Sequence, residues 1–184
     1  MSRRTALLVI DMQGRFKEIA ENGKIIENIA SLVKLFHNKD LPVVFTQHHD
    51  DPKMTSVLSR WWNNPIIKGT EEWQIIPALQ KVLNVEDDIM ITEKSRYDSF
   101  WETPLKSKLQ ELEVDTVVIT GTMTNLCCET TARVAFNNDF NVIFLSDCNA
   151  TSTKEYHEAA LKNLAFGFAT VMTHREFLKK YENV

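Results

Sequence analysis

Three residues of this 184-residue chain combine a reactive side chain with a setting that could use it: Asp11, Lys94 and Cys127. Asp11 directly follows the apolar run Ala6–Ile10, so it sits where a buried strand ends. A carboxylate there can act as a general base, or hold a metal or phosphoryl group; it can equally be a helix cap or a solvated strand end. Lys94 closes a strand-like run that begins Ile89-Met90-Ile91. It is either a snorkelling surface lysine or, beside Asp11, a partner in which each charge favours the ionised form of the other. Cys127 lies in Gly121-Thr122-Met123-Thr124-Asn125-Leu126-Cys127-Cys128, a strand, a tight turn and a helix start. A helix N-terminus lowers a thiol pKa and offers backbone N–H groups to an anion, whereas a buried cysteine with no such role is a small core residue. Cys128 points well away from Cys127 on a helix. One of the two is expected to be inert packing, and Cys148 likewise.

Other polar and aromatic clusters compete with these. His48-His49-Asp50-Asp51 contains ligand types that suit zinc or iron. No further histidine follows until His157, and four consecutive residues cannot easily close one site, so a polar loop is the simpler reading. Trp61, Trp62, Tyr97, Phe100 and Trp101 fall in or near expected loops. Most suit loop packing, with one or two as candidates to line a pocket for a flat, largely apolar ligand.

The elements that must position these residues follow from apolar periodicity. Continuous or near-continuous runs at Thr5–Ile10, Leu41–Thr46, Ile89–Thr92, Thr116–Thr120, Val142–Leu145 and Ala169–Met172 read as strands. Stripes at helical spacing predict helices over Ile25–Phe36, Pro104–Leu112, Asn125–Phe136, Lys154–Phe166 and Glu176–Tyr181, with Thr124 as an N-cap of the third. The stretch from His48 to Gly69 has no clean period. Strands alternating with helices predict a three-layer α/β/α sandwich around a mostly parallel six-stranded sheet with Rossmann-like topology, formed by residues 1–184 as one domain. In such sheets ligands bind beyond the carboxyl ends of the strands, where Asp11, Gln47, His48, Lys94, Gly121 and Asp147 fall.

Composition narrows the function. A formal charge of −4 without a basic run gives no electrostatic footprint for nucleic acid or an anionic membrane. The apolar runs are too short to span a bilayer. The five glycines are too scattered for a phosphate-cradling loop, which excludes a motif-bearing nucleotide site. Three cysteines cannot form a disulfide framework and favour a reducing, cytoplasmic setting. The basic Met1-Ser2-Arg3-Arg4 runs into the first strand with no small-residue cleavage site, so no signal peptide is expected.

Three segments together resemble the isochorismatase-like cysteine hydrolases, the superfamily of nicotinamidases and N-carbamoyl amidohydrolases. They are Ala6-Leu7-Leu8-Val9-Ile10-Asp11-Met12-Gln13 with Phe16, then Glu93-Lys94-Ser95-Arg96-Tyr97-Asp98-Ser99-Phe100, then Val118 through Arg133 to Ala135. The likeness continues from Val142 to Asp147. The resemblance implies a catalytic triad of Asp11, Lys94 and Cys127, a cis peptide between Thr122 and Met123, and an oxyanion hole made by the Met123 and Cys127 N–H groups. It implies hydrolysis of an amide or carbamoyl C–N bond of a small molecule through a thioester, and a homo-oligomer, dimer or tetramer, with Trp61–Pro65 as a candidate contact. Phe16, His48, Trp62, Tyr97 and Phe100 are the expected substrate-binding residues. The chain also departs from the pattern. Gly14-Arg15 stand where the family often has Asn and an acidic residue. Metal-dependent nicotinamidases carry Asp-x-His and a later histidine, whereas this chain has His48-x-Asp50 and lacks the later one. No metal and no other cofactor is therefore expected. A nicotinamidase proper with a bound metal, and a silent relative acting as a binding module, are the alternatives. A receiver-like phosphoacceptor would need more carboxylates beside Asp11 than Met12-Gln13-Gly14-Arg15 supplies.

Overall fold

The computed structural model describes residues 4–21 and 24–181. The apolar run of the first motif forms β1 (Arg4–Ile10), which lies between β2 (Val43–His48) and β4 (Val114–Thr122). Outside these come β3 (Ile89–Lys94) on one flank, and β5 (Asn141–Ala150) and then β6 (Thr170–Met172) on the other. The order is β3-β2-β1-β4-β5-β6 and every neighbouring pair is parallel. From β1 the chain winds outward to β2 and β3, then returns to the other side of β1 to lay down β4. The crevice between β1 and β4 is thus the topological switch point, where sheets of this kind bind ligands.

Side chains of a strand alternate between faces, so a strand covered on both sides must be apolar throughout. Leu7 and Val9 of β1 pack with Val118, Ile143 and Leu145 under Ile29, Leu32 and Phe36 of α2 (Ile25–Asn38) and Phe177 of α8 (His174–Tyr181). Ala6, Leu8 and Ile10 pack on the opposite face, with Val117, Ile119 and Phe144. Leu105 and Leu109 of α5 (Leu105–Glu111), Ala132 and Ala135 of α6 (Glu129–Asn137) and Leu164 of α7 (Lys154–Gly167) cover that face. Each large apolar side chain so buried contributes about 1.5–3 kcal/mol. The shorter helices α1 (Lys17–Ala20), α3 (Val57–Trp62) and α4 (Pro77–Gln80) lie in the connections.

The structure differs from the sequence reading at several element ends. β2 runs on to His48 and β3 to Lys94, two residues past the apolar runs that end at Thr46 and Thr92. β5 runs to Ala150, well past Leu145. The polar Ser146-Asp147-Cys148-Asn149 hides this extension from an apolar-run criterion, and the pairing with β4 shifts register between Ile119 and Gly121. Asn149 spans the shift by donating from Nδ2 to the carbonyls of Ile119 (3.0 Å) and Leu145 (2.6 Å). The unperiodic stretch after β2 holds α3, capped by Ser56, whose Oγ accepts the Ser59 N–H at 3.0 Å.

Thr124 is not an N-cap. It opens a π-helical turn, Thr124–Cys128, that precedes α6, and its hydroxyl is paired with His157 Nδ1 at 2.9 Å instead. Before this turn, Gly121 has φ +125° and sits in register with Ile10. A Cβ at Gly121 would overlap the Ile10 backbone, so only glycine allows β1 and β4 to approach where the switch point opens.

Candidate active site

The end of β1 is shaped by Asp11, which adopts φ 48° in the left-handed region that Asp tolerates better than most residues. Its N–H donates to the Thr46 carbonyl (3.2 Å) and to Thr46 Oγ1 (3.1 Å). That hydroxyl in turn donates to Asp11 Oδ1 at 2.6 Å. From the other side, Thr122 Oγ1 donates to the Asp11 carbonyl at 2.8 Å. The Asp11 backbone is therefore held by the strands on both sides of it, and its carboxylate by Thr46 of β2.

The two other reactive side chains meet it. Lys94 Nζ donates to Asp11 Oδ2 at 2.5 Å and to Cys127 Sγ at 3.4 Å. Asp11 and Lys94 are both 0% exposed and Cys127 is 6% exposed. Burial works against the Lys94 charge, but Asp11 and Cys127 outweigh it and the ammonium is held above its ordinary pKa. Burial pushes the Cys127 thiol up to about 12, with Lys94 pulling down and Asp11 adding to the rise. This corrects the expectation that the helix start would depress the thiol, because desolvation outweighs the cationic neighbour. The resting cluster is thus an ion pair beside a neutral thiol that accepts from Lys94.

The peptide between Thr122 and Met123 is cis, as the resemblance implied. The Met123 carbonyl accepts the N–H groups of Leu126 (3.0 Å) and Cys128 (3.2 Å), closing the turn that carries Cys127. Cys128 is completely buried and burial raises its thiol pKa strongly; Cys148 is buried and raised in the same direction.

The remaining expected site residues divide. Tyr97 is half-buried, and burial raises its phenol pKa. Trp62 Nε1 donates to Tyr97 Oη at 2.7 Å, which ties α3 to the segment following β3. Val57, Leu58, Trp61, Tyr97 and Trp101 line an open groove of about 550 Å³ beside them. His48 is buried at the end of β2, in register with Lys94. Phe16 is half-buried in the turn Gly14–Phe16. Phe100 is a packing residue: it stacks on Phe140 with ring centroids 6.0 Å apart and belongs to the core over α5 and α6.

Sequence reasoning missed Thr46 and Gln13. Thr46 grips Asp11 as described. Gln13 pins the His48 backbone, donating from Nε2 to its carbonyl (3.0 Å) and accepting its N–H at Oε1 (2.8 Å). For Thr46 the available signal was a polar residue directly after the apolar Val43-Val44-Phe45, in the strand beside the one that Asp11 follows.

A metal of the nicotinamidase type would have to use His48 and Asp50. Asp50 Oδ1 lies 3.4 Å from His48 Nε2, while Asp50 Oδ2 accepts the Ile66 N–H at 2.9 Å. Among the described residues, no group of three or more His, Cys, Asp or Glu could hold a metal ion. The residues do not fit such a group.

A doubly wound parallel sheet with a buried carboxylate, ammonium and thiol converging at its switch point defines the class of protein to which this chain belongs. The Isochorismatase domain model matches residues 5–176, and the chain is a member of the isochorismatase family of hydrolases. It is 42% identical over 170 residues to nicotinamidase 3 of Arabidopsis thaliana, covering 91% of this chain and 84% of that protein. It is 34% identical over 176 residues to a second Arabidopsis protein, named "Probable inactive nicotinamidase", covering 88% of each. Among solved structures, a cysteine hydrolase from Pseudomonas syringae pv. phaseolicola superposes with a TM-score of 0.87 at 28% identity, covering 98% of this chain and 93% of that one.

Proposed function

We propose that this chain is a cysteine-dependent amidohydrolase that cleaves an amide or carbamoyl C–N bond of a small molecule through a thioester. The observation that carries the reading is the contact of Lys94 Nζ with both Asp11 Oδ2 (2.5 Å) and Cys127 Sγ (3.4 Å) in a buried site. Asp11 takes the thiol proton as Cys127 Sγ attacks the carbonyl carbon. Until the S–C bond forms, Lys94 balances the single negative charge shared between sulfur and carboxylate; the attack then moves that charge onto the carbonyl oxygen. The oxyanion is held by the Met123 and Cys127 N–H groups. Asp11 returns the proton to the leaving nitrogen, ammonia for a primary amide, and the C–N bond breaks. Asp11 then deprotonates a water that attacks the thioester, and the carboxylic acid leaves with the thiol restored. A thiol that is neutral at rest suits this sequence, because the nucleophile forms only when a carbonyl is present to receive it.

His48, Trp62 and Tyr97 form the substrate-facing wall in this reading, with Phe16 at its edge. The likeness to a nicotinamidase puts nicotinamide first in the substrate screen. The test measures ammonia release from nicotinamide, other primary amides and carbamoyl compounds by the wild type and Cys127→Ala side by side. Turnover by the wild type alone supports the reading. Equal turnover by both rejects the nucleophile, and none by either favours the silent alternative. We further propose a homo-oligomer, dimer or tetramer, with the 77%-exposed Trp61 in the contact. Light scattering giving the mass of one chain at all concentrations would reject it. The three free, buried cysteines support a reducing, cytoplasmic setting.

A further inference from the structure

His157 and Thr124 have no part in the chemistry above, yet they meet directly behind it. Thr124 is the first residue of the turn Thr124–Cys128, and its side chain is completely buried. Met123, which precedes it, makes no side-chain cap to the turn. The N–H groups at the start of a helix lack intrahelical partners, and such ends are normally fixed by a capping side chain. Here the fixing comes from elsewhere. Thr124 Oγ1 lies 2.9 Å from Nδ1 of His157, on the first turn of α7. The next residue, Asn125, accepts at Oδ1 a hydrogen bond of 2.6 Å from Thr151 Oγ1, just beyond β5.

The His157 ring is held in turn. Its backbone N–H donates to the Thr153 carbonyl at 3.2 Å, and Thr153 Oγ1 accepts the Tyr156 N–H at 3.3 Å, so the ring stands on a capped helix end. A neutral ring that donates from Nε2 has its lone pair at Nδ1, ready to accept the Thr124 hydroxyl proton. Burial lowers the His157 pKa and keeps the ring in that neutral form. The Thr124–His157 contact therefore ties the Cys127 turn to the first turn of α7, while Asn125 and Thr151 tie it to the end of β5.

We propose that His157 is a positioning residue for the Cys127 turn: through Thr124 Oγ1 it fixes the backbone that presents the Met123 and Cys127 N–H groups. This inference rests on the proposed role of that turn. Oxyanion donors must lie within about 2.7–3.1 Å of the developing charge, and a displacement of about 1 Å can cost about 10²-fold in rate. A side chain that limits the drift of the turn thus acts on kcat without touching substrate.

The test compares His157→Leu, Thr124→Val and their double variant with the hydroxyl- and acceptor-preserving changes Thr124→Ser and His157→Asn. Two rates are read: ammonia release from the best amide of the screen, and alkylation of Cys127 by iodoacetamide at fixed pH, which needs no substrate. His157→Leu and Thr124→Val are each expected to lower kcat and the alkylation rate about tenfold, with KM changed less than about threefold. The double variant is expected to fall no more than about twofold further, because both changes break one link. Thr124→Ser and His157→Asn are expected to stay within about threefold of the wild type on both readouts. If the wild type releases no ammonia while the alkylation pattern holds, the amidohydrolase reading fails and the positioning role stands. Additive losses in the double variant would overturn the inference. So would a drop in thermal stability with kcat and alkylation unchanged. Thr124→Val is close to isosteric and keeps the test decisive if His157→Leu does not fold.

Discussion

Two polar clusters stand at the carboxyl end of the sheet, and the structure treats them oppositely. Asp11, Lys94 and Cys127 come from the ends of β1 and β3 and the turn after β4, and converge on one buried point. His48, His49, Asp50 and Asp51 come from one continuous segment and diverge. His48 turns to Asp50, His49 Nδ1 is buried without a hydrogen-bond partner among the described residues, and Asp51 accepts from Thr55 Oγ1 at 2.5 Å in its own loop. Both groups contain residue types able to bind, attack or transfer protons. The difference lies in convergence. Neighbours on an extended chain point to opposite sides, so a site is assembled from segments far apart in sequence that the fold brings together.

The largest expected effect tests which thiol belongs to the convergent cluster. Cys127→Ala is expected to lower amide turnover by about 10⁴-fold or more, while Cys128→Ala keeps it within about threefold. Side-by-side steady-state assays check this, and the reverse ranking would shift the site by one residue. Asp11→Asn comes next, with a loss of about 10²–10⁴-fold, because an amide can neither take the thiol proton nor return it. That variant also leaves the Lys94 charge buried without its partner, which is expected to cost about 3–5 kcal/mol of folding stability in urea titrations. The double variant Asp11→Asn/Lys94→Met removes the stranded charge. It is expected to recover much of the stability and none of the activity, separating the structural share of the ion pair from its chemical share.

The resting thiol gives a pH test of intermediate size. Since burial pushes the Cys127 pKa up to about 12, the thiolate fraction rises with pH throughout the neutral range. Iodoacetamide labelling of Cys127 is expected to climb about tenfold per pH unit from pH 7 to 9 without a plateau, since the thiolate is the nucleophile. A plateau near neutrality would mean that Lys94 outweighs desolvation and that the thiolate exists before substrate arrives.

Much of this was legible in the residues. The apolar run into Asp11 needed no partner to be read as a doubly covered strand, and periodicity alone marked α2, α5 and α7. Three motifs at strand ends carried the family resemblance that implied Asp11, Lys94 and Cys127 as a triad, and these three side chains do meet. What escaped was what periodicity cannot encode. The extension of β5 is written in polar residues whose hydrogen bonds run to neighbouring strands. The cap-like role of His157 depends on a contact between residues 124 and 157. The raised thiol pKa is set by burial, which is a property of the whole fold, while the helix start that argued for lowering it is local. Phe100 reads as a loop aromatic until its stacking on Phe140 is seen.

Thr46 sharpens the same point at smaller scale. It is the residue that turns an isolated strand end into a fixed carboxylate, through the hydroxyl that accepts from Asp11 N–H and donates to Asp11 Oδ1. Thr46→Val keeps the shape and removes the hydroxyl. It is expected to lower kcat about three- to tenfold, and to cost about 1–3 kcal/mol because the buried Asp11 oxygen loses a donor. Thr46→Ser should restore both. A Thr46→Val enzyme with unchanged kcat would show that Lys94 and the strand ends suffice to aim Asp11.

The smallest expected effect is none at all, and it concerns the divergent cluster. Catalytic zinc sites take three protein ligands, and iron facial triads take two histidines and a carboxylate. His48 and Asp50 supply two groups, and these are already turned toward each other at 3.4 Å, with the second oxygen of Asp50 committed to the Ile66 N–H. His49 lies on the other side of the extended chain, where its backbone N–H donates to the Lys94 carbonyl at 2.9 Å. Recruiting a metal would break the Asp50 bonds and still leave the site short of a ligand. Prolonged chelation, followed by elemental analysis, is therefore expected to leave turnover of the best amide within about twofold of the untreated enzyme. Activity that disappears with the metal and returns with zinc, iron or manganese would mean that the segment after β2 rearranges to gather ligands. The two clusters would then be halves of one site.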